Sequence, residues 1–251
     1  MNRAVRSLAS IFFLVLIPSL INGQTDDKGA EWLNTEAVEL IKAKQYSQAI
    51  GLLERSIKLK PSFATAHVNM GVALHLAGDS HAAVTYMKTG IELDDSALAR
   101  NQLGVALTSL KQYDAALGHL KKAVELKPDY TLAWVNLASV YFYKGNLKKA
   151  AETLEAIKSR DPSNHVVRTN LGQIYAYQYR FGEAIEELSA VKRERPGDET
   201  VNVALCELYL LRNDRDSALE IYRSFKSTNT SLAEKLFESI SRGRVVSAKD
   251  R

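Results

Sequence analysis

Apolar positions recur along the chain at helical spacing, in stretches of roughly three turns separated by short polar turns. Ala133 to Tyr143 is one such stretch, followed by a turn with Gly145 and Asn146 and by a second stretch that runs on to Pro162. The same two-part unit returns along the chain, with starts near Ala30, Ala64, Ala97, Thr131, His165 and Glu199. The steps are 34 residues, except for 33 between Ala64 and Ala97. Pro61, Pro128, Pro162 and Pro196 stand at equivalent places, where a fixed φ and a missing N–H end the second helix. Asp95 and Thr230 stand where proline is expected in the second and sixth units. A fixed period of this length is the signature of a stacked helical array.

Small residues mark the same places in each unit: Gly71 and Ala83, Gly104 and Ala116, Ala138 and Ala150, Gly172 and Ala184, twelve apart in every case. Glycine or alanine at a helix crossing lets two backbones approach where leucine would hold them apart, so these pairs predict two helices packed closely against each other. With Trp134, Leu137, Ala138, Tyr141, Gly145, Ala150, Leu154 and Pro162, the fourth unit resembles the tetratricopeptide repeat. The resemblance runs from about Ala30 to Thr230. It implies an all-α protein: a right-handed superhelical solenoid of six helix-turn-helix pairs at residues 30–63, 64–96, 97–130, 131–164, 165–198 and 199–230. Residues 24–29 read as a short polar segment before the first pair. After the last pair, Leu232, Leu236, Phe237 and Ile240 share one face of a predicted capping helix at 231–242, with Ser231 and Glu234 as a capping box. A basic tail at 243–251 follows.

The ends and the charge add compartment. Arg3 and Arg6 precede an apolar run from Leu8 to Ile21 that is short for a membrane span and interrupted by Pro18, which reads as a signal peptide over residues 1–23. An uncleaved anchor is the alternative. Removing the leader takes Arg3 and Arg6 with it and lowers the formal net charge from +4 to +2, too little to argue for nucleic acid. The mature chain is then expected to lack a membrane span. Cys206 is the only cysteine, so no disulfide closes within the chain and no lipid-modified cysteine stands near the cleavage site.

The chain is committed to repeats and leaves no room for a catalytic domain. No enzyme activity, metal or cofactor is expected. His67 and His75 lie about 12 Å apart on one helix, too far to share a metal. Cys206 occupies a small-residue place and reads as a packing side chain. The family resemblance implies that the first helix of each pair lines a concave groove through its second, fifth, ninth, twelfth and thirteenth places. Val72, His75, Val105 and Phe142 fall there, with Tyr143 and Tyr177 at the thirteenth place. The sixth place carries Asn69, Gln102, Asn136 and Asn170, amides able to pair with a peptide backbone or, alternatively, with neighbouring helices. Phe142, Tyr143 and Tyr177 form an aromatic cluster of the kind that anchors partners. The charges with which some relatives clamp a C-terminal carboxylate are absent: Val68 and Val72 stand at those places.

The expectation is an exported scaffold, most simply periplasmic, that binds an extended and partly apolar segment of another protein. A self-assembling structural protein is the alternative. The leader and six pairs also look similar to pilotin-type proteins of type IV pilus assembly, although those carry a lipid-modified cysteine. Seven Lys and Arg against three Asp and Glu from Arg223 to Arg251 offer a rival, charge-driven contact.

Overall fold

Six residues at the fifteenth place of the successive units hold positive φ: Lys44 (60°), Gly78 (101°), Lys111 (59°), Gly145 (75°), Tyr179 (61°) and Asn213 (59°). Each reverses the chain between the two helices of a pair, and the next backbone N–H reaches back across the turn, as from Asn146 to Tyr141 O and from Arg180 to Tyr175 O (both 2.9 Å). The computed structural model describes residues 23–226 together with 234, 237, 238, 240 and 241. Among these, twelve helices follow one another: α1 Gly23–Lys42, α2 Tyr46–Leu59, α3 Ala64–Leu76, α4 Ser80–Leu93, α5 Ala97–Ser109, α6 Tyr113–Leu126, α7 Thr131–Tyr143, α8 Leu147–Lys158, α9 His165–Tyr177, α10 Phe181–Glu194, α11 Glu199–Leu211 and α12 Arg215–Phe225.

Each helix packs on the next, and the first helices of consecutive pairs also touch: α1 on α3, α3 on α5, and so on to α11. The second helices make no such contact with one another among the described residues. An array whose first helices crowd together while its second helices splay curves toward the first helices. The result is an all-α superhelical solenoid with α1, α3, α5, α7, α9 and α11 on its concave side.

The small residues lie at the crossings. Ala49, Ala83, Ala116, Ala150, Ala184 and Ala218 are fully buried at one repeated place. A Cβ on Gly104 would sit 2.5 Å from Leu120 Cγ, and one on Gly172 would sit 2.7 Å from Leu188 Cγ. At Gly71 it would meet both Met87 Cγ at 2.5 Å and the Ala83 carbonyl oxygen at 2.9 Å, and the backbone atom cannot swing away. Gly71→Ala is therefore expected to lower stability by about 1 kcal/mol, with overpacking outweighing the better helix propensity of alanine. Gly118 in α6 has open space around its would-be Cβ. Gly118→Ala should shift a denaturant melt the opposite way, by up to about 1 kcal/mol.

The joints between pairs share a device. At the fourth place of the following unit, a side-chain N–H donates to the carbonyl of the proline six residues earlier: His67 Nε2 to Pro61 (2.8 Å), Trp134 Nε1 to Pro128 (3.0 Å), Arg168 Nε to Pro162 (2.6 Å) and Asn202 Nδ2 to Pro196 (2.9 Å). Where the proline is missing, Arg100 at the fourth place clasps the Asp95 carboxylate with two bonds, Nε to Oδ1 (2.6 Å) and Nη2 to Oδ2 (2.9 Å). That bond holds the Asp95 carboxyl below the usual carboxylate range.

The polar segment expected at 24–29 is instead the start of α1, which begins at Gly23. Asp26 in its first turn suits a helix N-terminus, and Asp27 pairs with Lys60 beyond the end of α2 at 3.2 Å, which gives these residues a packing partner. At the other end, Ser231, Leu232 and Leu236 of the expected cap and the expected basic tail lie outside the described residues, as do residues 1–22 of the expected signal peptide. Phe237 and Ile240 are helical. Ile240 is fully buried, and the Phe237 ring lies 5.3 Å from that of Tyr222 in α12.

Candidate interaction groove

Phe142 and Tyr143 end α7, and Tyr177 ends α9 at the place equivalent to Tyr143. Their rings converge: Phe142 meets Tyr177 edge-on at 4.8 Å between centroids and Tyr143 at 5.9 Å. Tyr143 in turn stacks on Tyr113 at the start of α6, at 6.1 Å. Tyr143 and Tyr177 remain 59% and 62% exposed. Between α7 and α9 they wall a cavity of about 160 Å³ whose floor is Ala138, Leu154 and Ile174 and whose polar groups are Ser139, Asn170 and Gln173.

A second cleft, of about 380 Å³, lies on the other side of Tyr177 between α9 and α11, where Ala176 and Ala204 leave room and Leu211 closes the edge. Tyr177 and Gln173 line both clefts. Glu207 is the one charged residue lining either of them. Tyr179 and Phe181 continue the aromatic surface beyond Tyr177, around a shallower pocket shared with Leu211.

The expected groove residues divide. Phe142, Tyr143, Asn170 and Tyr177 come together, whereas Asn69, Gln102, Asn136, Val72, His75 and Val105 do not line this cavity. The amide row does not form a free ladder. Asn69 Nδ2 donates to Asn34 Oδ1 of the preceding pair (2.9 Å), Asn136 Nδ2 donates to Asn101 Oδ1 (2.8 Å), and Asn170 Nδ2 turns back to Val166 O of its own helix (2.8 Å). Two of these amides thus join consecutive first helices. His75 Nδ1 is engaged with Ser80 Oγ at 2.8 Å, and burial pushes its pKa down. Val72 packs against the core, and Val105 is half-buried.

Other candidate chemistry recedes. Cys206 is buried against Ala218 O, and burial pushes its thiol up to about 12, a poor nucleophile. Tyr175 is buried, its hydroxyl donating to Glu155, and burial together with that carboxylate raises its pKa. Among the described residues no three His, Cys, Asp or Glu side chains cluster as metal ligands, and no helix is long and apolar enough to cross a membrane.

Sequence reading missed Tyr113, Tyr179 and Phe181, whose approach to the cluster depends on where the turns place them. It also missed the buried carboxylate of Glu187 in α10. That group accepts from Lys158 of α8 and from Arg168 Nη1 of α9, the latter at 2.7 Å. In sequence it looks like any charge on a helix; only the packing of three helices around it marks it.

Two family models described as tetratricopeptide repeat match residues 34–97, 77–131 and 107–174, together more than half of the chain. The chain belongs to the tetratricopeptide repeat family. Among curated proteins it is 29% identical over 121 residues to the chloroplastic tetratricopeptide repeat domain-containing protein PYG7 of Arabidopsis thaliana, and 31% identical over 102 residues to a STIP1 homolog of Dictyostelium discoideum. These alignments cover 46% and 40% of this chain but only 40% and 18% of the relatives. Among solved structures, Pseudomonas aeruginosa PilF aligns over 86% of this chain and 99% of its own, with a TM-score of 0.70 and 18% identity. YrrB, described as a TPR protein with an unusual peptide-binding site, aligns over 72% of this chain and 97% of its own, with a TM-score of 0.55 and 22% identity. At these identities the likeness is one of fold. Proteins of this family generally mediate protein–protein contacts.

Proposed function

We propose that the chain is an exported, non-catalytic scaffold of six tetratricopeptide repeats that binds an extended, partly apolar segment of a partner protein in its concave groove. The observation that carries this reading is the convergence of Phe142, Tyr143 and Tyr177 on one uncharged cavity between α7 and α9. Large exposed aromatic side chains held in place by their neighbours present apolar area with little entropy left to lose, which is what an anchor for a partner requires. Arg3, Arg6 and the apolar run that follows them support export, and a bacterial periplasm is the compartment this reading favours. An envelope-assembly role like that of pilotin-type proteins falls within the same reading.

Crosslinking in the native cell followed by mass spectrometry supplies the partner, and titration of its affinity tests the groove. Phe142→Ala is expected to weaken binding by about 2 kcal/mol, roughly thirtyfold. Asn136→Ala should weaken it much less, because the Asn136 amide already serves Asn101. Wild-type affinity for Phe142→Ala, with loss on added salt or in a chain ending at Gly243, would transfer the contact to the basic C-terminal end.

A further inference from the structure

The groove also constrains the chemistry of its occupant, given the docking reading above. The concave places of α5, α7 and α9 run from Leu98, Asn101 and Gln102 to Gln173, Ala176 and Tyr177 and include no Asp, Glu, Lys or Arg, in a chain that is 25% charged. On α11, Glu207 is the one charge that lines either cleft, so an acidic side chain entering this stretch would lose hydration and meet no opposite charge, and the matching segment carries no acidic residue.

The spacing of the two clefts sets a second condition. They flank a single helix, α9, so their centres are one first-helix spacing apart, about 8–10 Å for packed helices. A β-strand presents one face every second residue, about 6.7 Å apart, and again at about 13 Å, which matches neither one cleft step nor the width of Tyr177. A polyproline-II segment rises about 3.1 Å per residue with three residues per turn, so its i and i+3 side chains lie on one face about 9 Å apart. Its backbone makes no internal hydrogen bonds, which leaves its N–H and C=O groups for the Gln173 amide, which lines both clefts. The smaller cleft, about 160 Å³, is close to the roughly 150 Å³ that accommodates a benzene ring, and the larger, about 380 Å³, takes a bulkier group.

We propose that the groove takes a polyproline-II-like segment of a partner protein that is free of acidic residues and carries bulky apolar side chains at i and i+3, one in each cleft beside Tyr177. The test uses the full chain and short fluorescein-labelled synthetic peptides of Pro, Ser and Gln that carry two phenylalanines at i,i+2, at i,i+3 or at i,i+4. Fluorescence anisotropy is expected to give at least about tenfold tighter binding for i,i+3, since the other spacings lose one anchor. Tyr177→Ala should abolish that preference while leaving the circular dichroism melt unchanged, because the side chain is largely exposed. Glu placed between the two phenylalanines should weaken binding. Equal affinity at all three spacings, no binding of any peptide, tighter binding of the Glu-bearing peptide, or an i,i+3 preference that survives Tyr177→Ala would overturn the proposal. If the native partner still loses affinity on Phe142→Ala while peptide spacing proves immaterial, the docking reading stands and this one falls.

Discussion

Replacing Glu187 with alanine is expected to destabilise the fourth and fifth helix pairs by about 3 kcal/mol, measured by chemical denaturation. The carboxylate is 5% exposed and accepts from Lys158 and Arg168, which reach it from α8 and α9. Removing it leaves two cations at the junction of three helices with no counter-charge. Loss of one partner of a buried ion pair typically costs about 3–5 kcal/mol, and the lower end applies here because both cations keep a path to water. The double variant Glu187→Leu with Lys158→Met should recover part of the loss by replacing charge with apolar contact of similar volume. An unchanged midpoint for Glu187→Ala would mean that the junction is hydrated.

Leu154→Ala has the second large effect, and it joins stability to recognition. Leu154 is fully buried in α8 and at the same time forms part of the floor of the cavity between α7 and α9. Truncating it should cost about 2–5 kcal/mol, as for other buried leucines whose surroundings collapse only partly. The vacated space adds to the cavity beneath Phe142 and Tyr177. An apolar anchor from a partner then loses contacts on one side, so affinity should fall even at temperatures where the variant is fully folded. Titration well below the melting transition separates the two effects, and a variant with a lowered midpoint but wild-type affinity would detach the cavity floor from binding. Because the array is a chain of neighbouring units, its melt need not be a single step, and the slope should be followed with the midpoint.

The helix pairs were legible in the sequence because the small residues, the turns and the prolines each repeat in kind. Only a hydrogen fits at Gly104 and Gly172, where a Cβ would approach Leu120 or Leu188 within 3 Å. The aromatic part of the site was legible for a related reason, since Tyr143 and Tyr177 occupy equivalent places. The start of α1 was not legible: Gln24 to Gly29 is polar, and the pairing of Asp27 with Lys60 beyond the end of α2 leaves no periodic signal in the sequence. The roles of the amides were not legible either. Asn69, Asn136 and Asn170 are one residue type at one place, yet the first two find an asparagine on the preceding first helix, while for Asn170 the equivalent place there holds Val135 and the amide folds back on its own helix.

The joints between pairs bear on how such a chain can change over generations. His67, Trp134, Arg168 and Asn202 differ in size, charge and aromaticity, and the carbonyl each one meets asks only for an N–H within reach. Substitution at that place is therefore constrained by one atom and its geometry, with little regard for residue class. Copies descended from a duplicated unit can diverge widely there while each joint keeps its angle. An added or deleted copy would bring along a connection that needs no further adaptation, so the length of the array, and with it the number of clefts offered to a partner, can vary more freely than the shape of any single cleft.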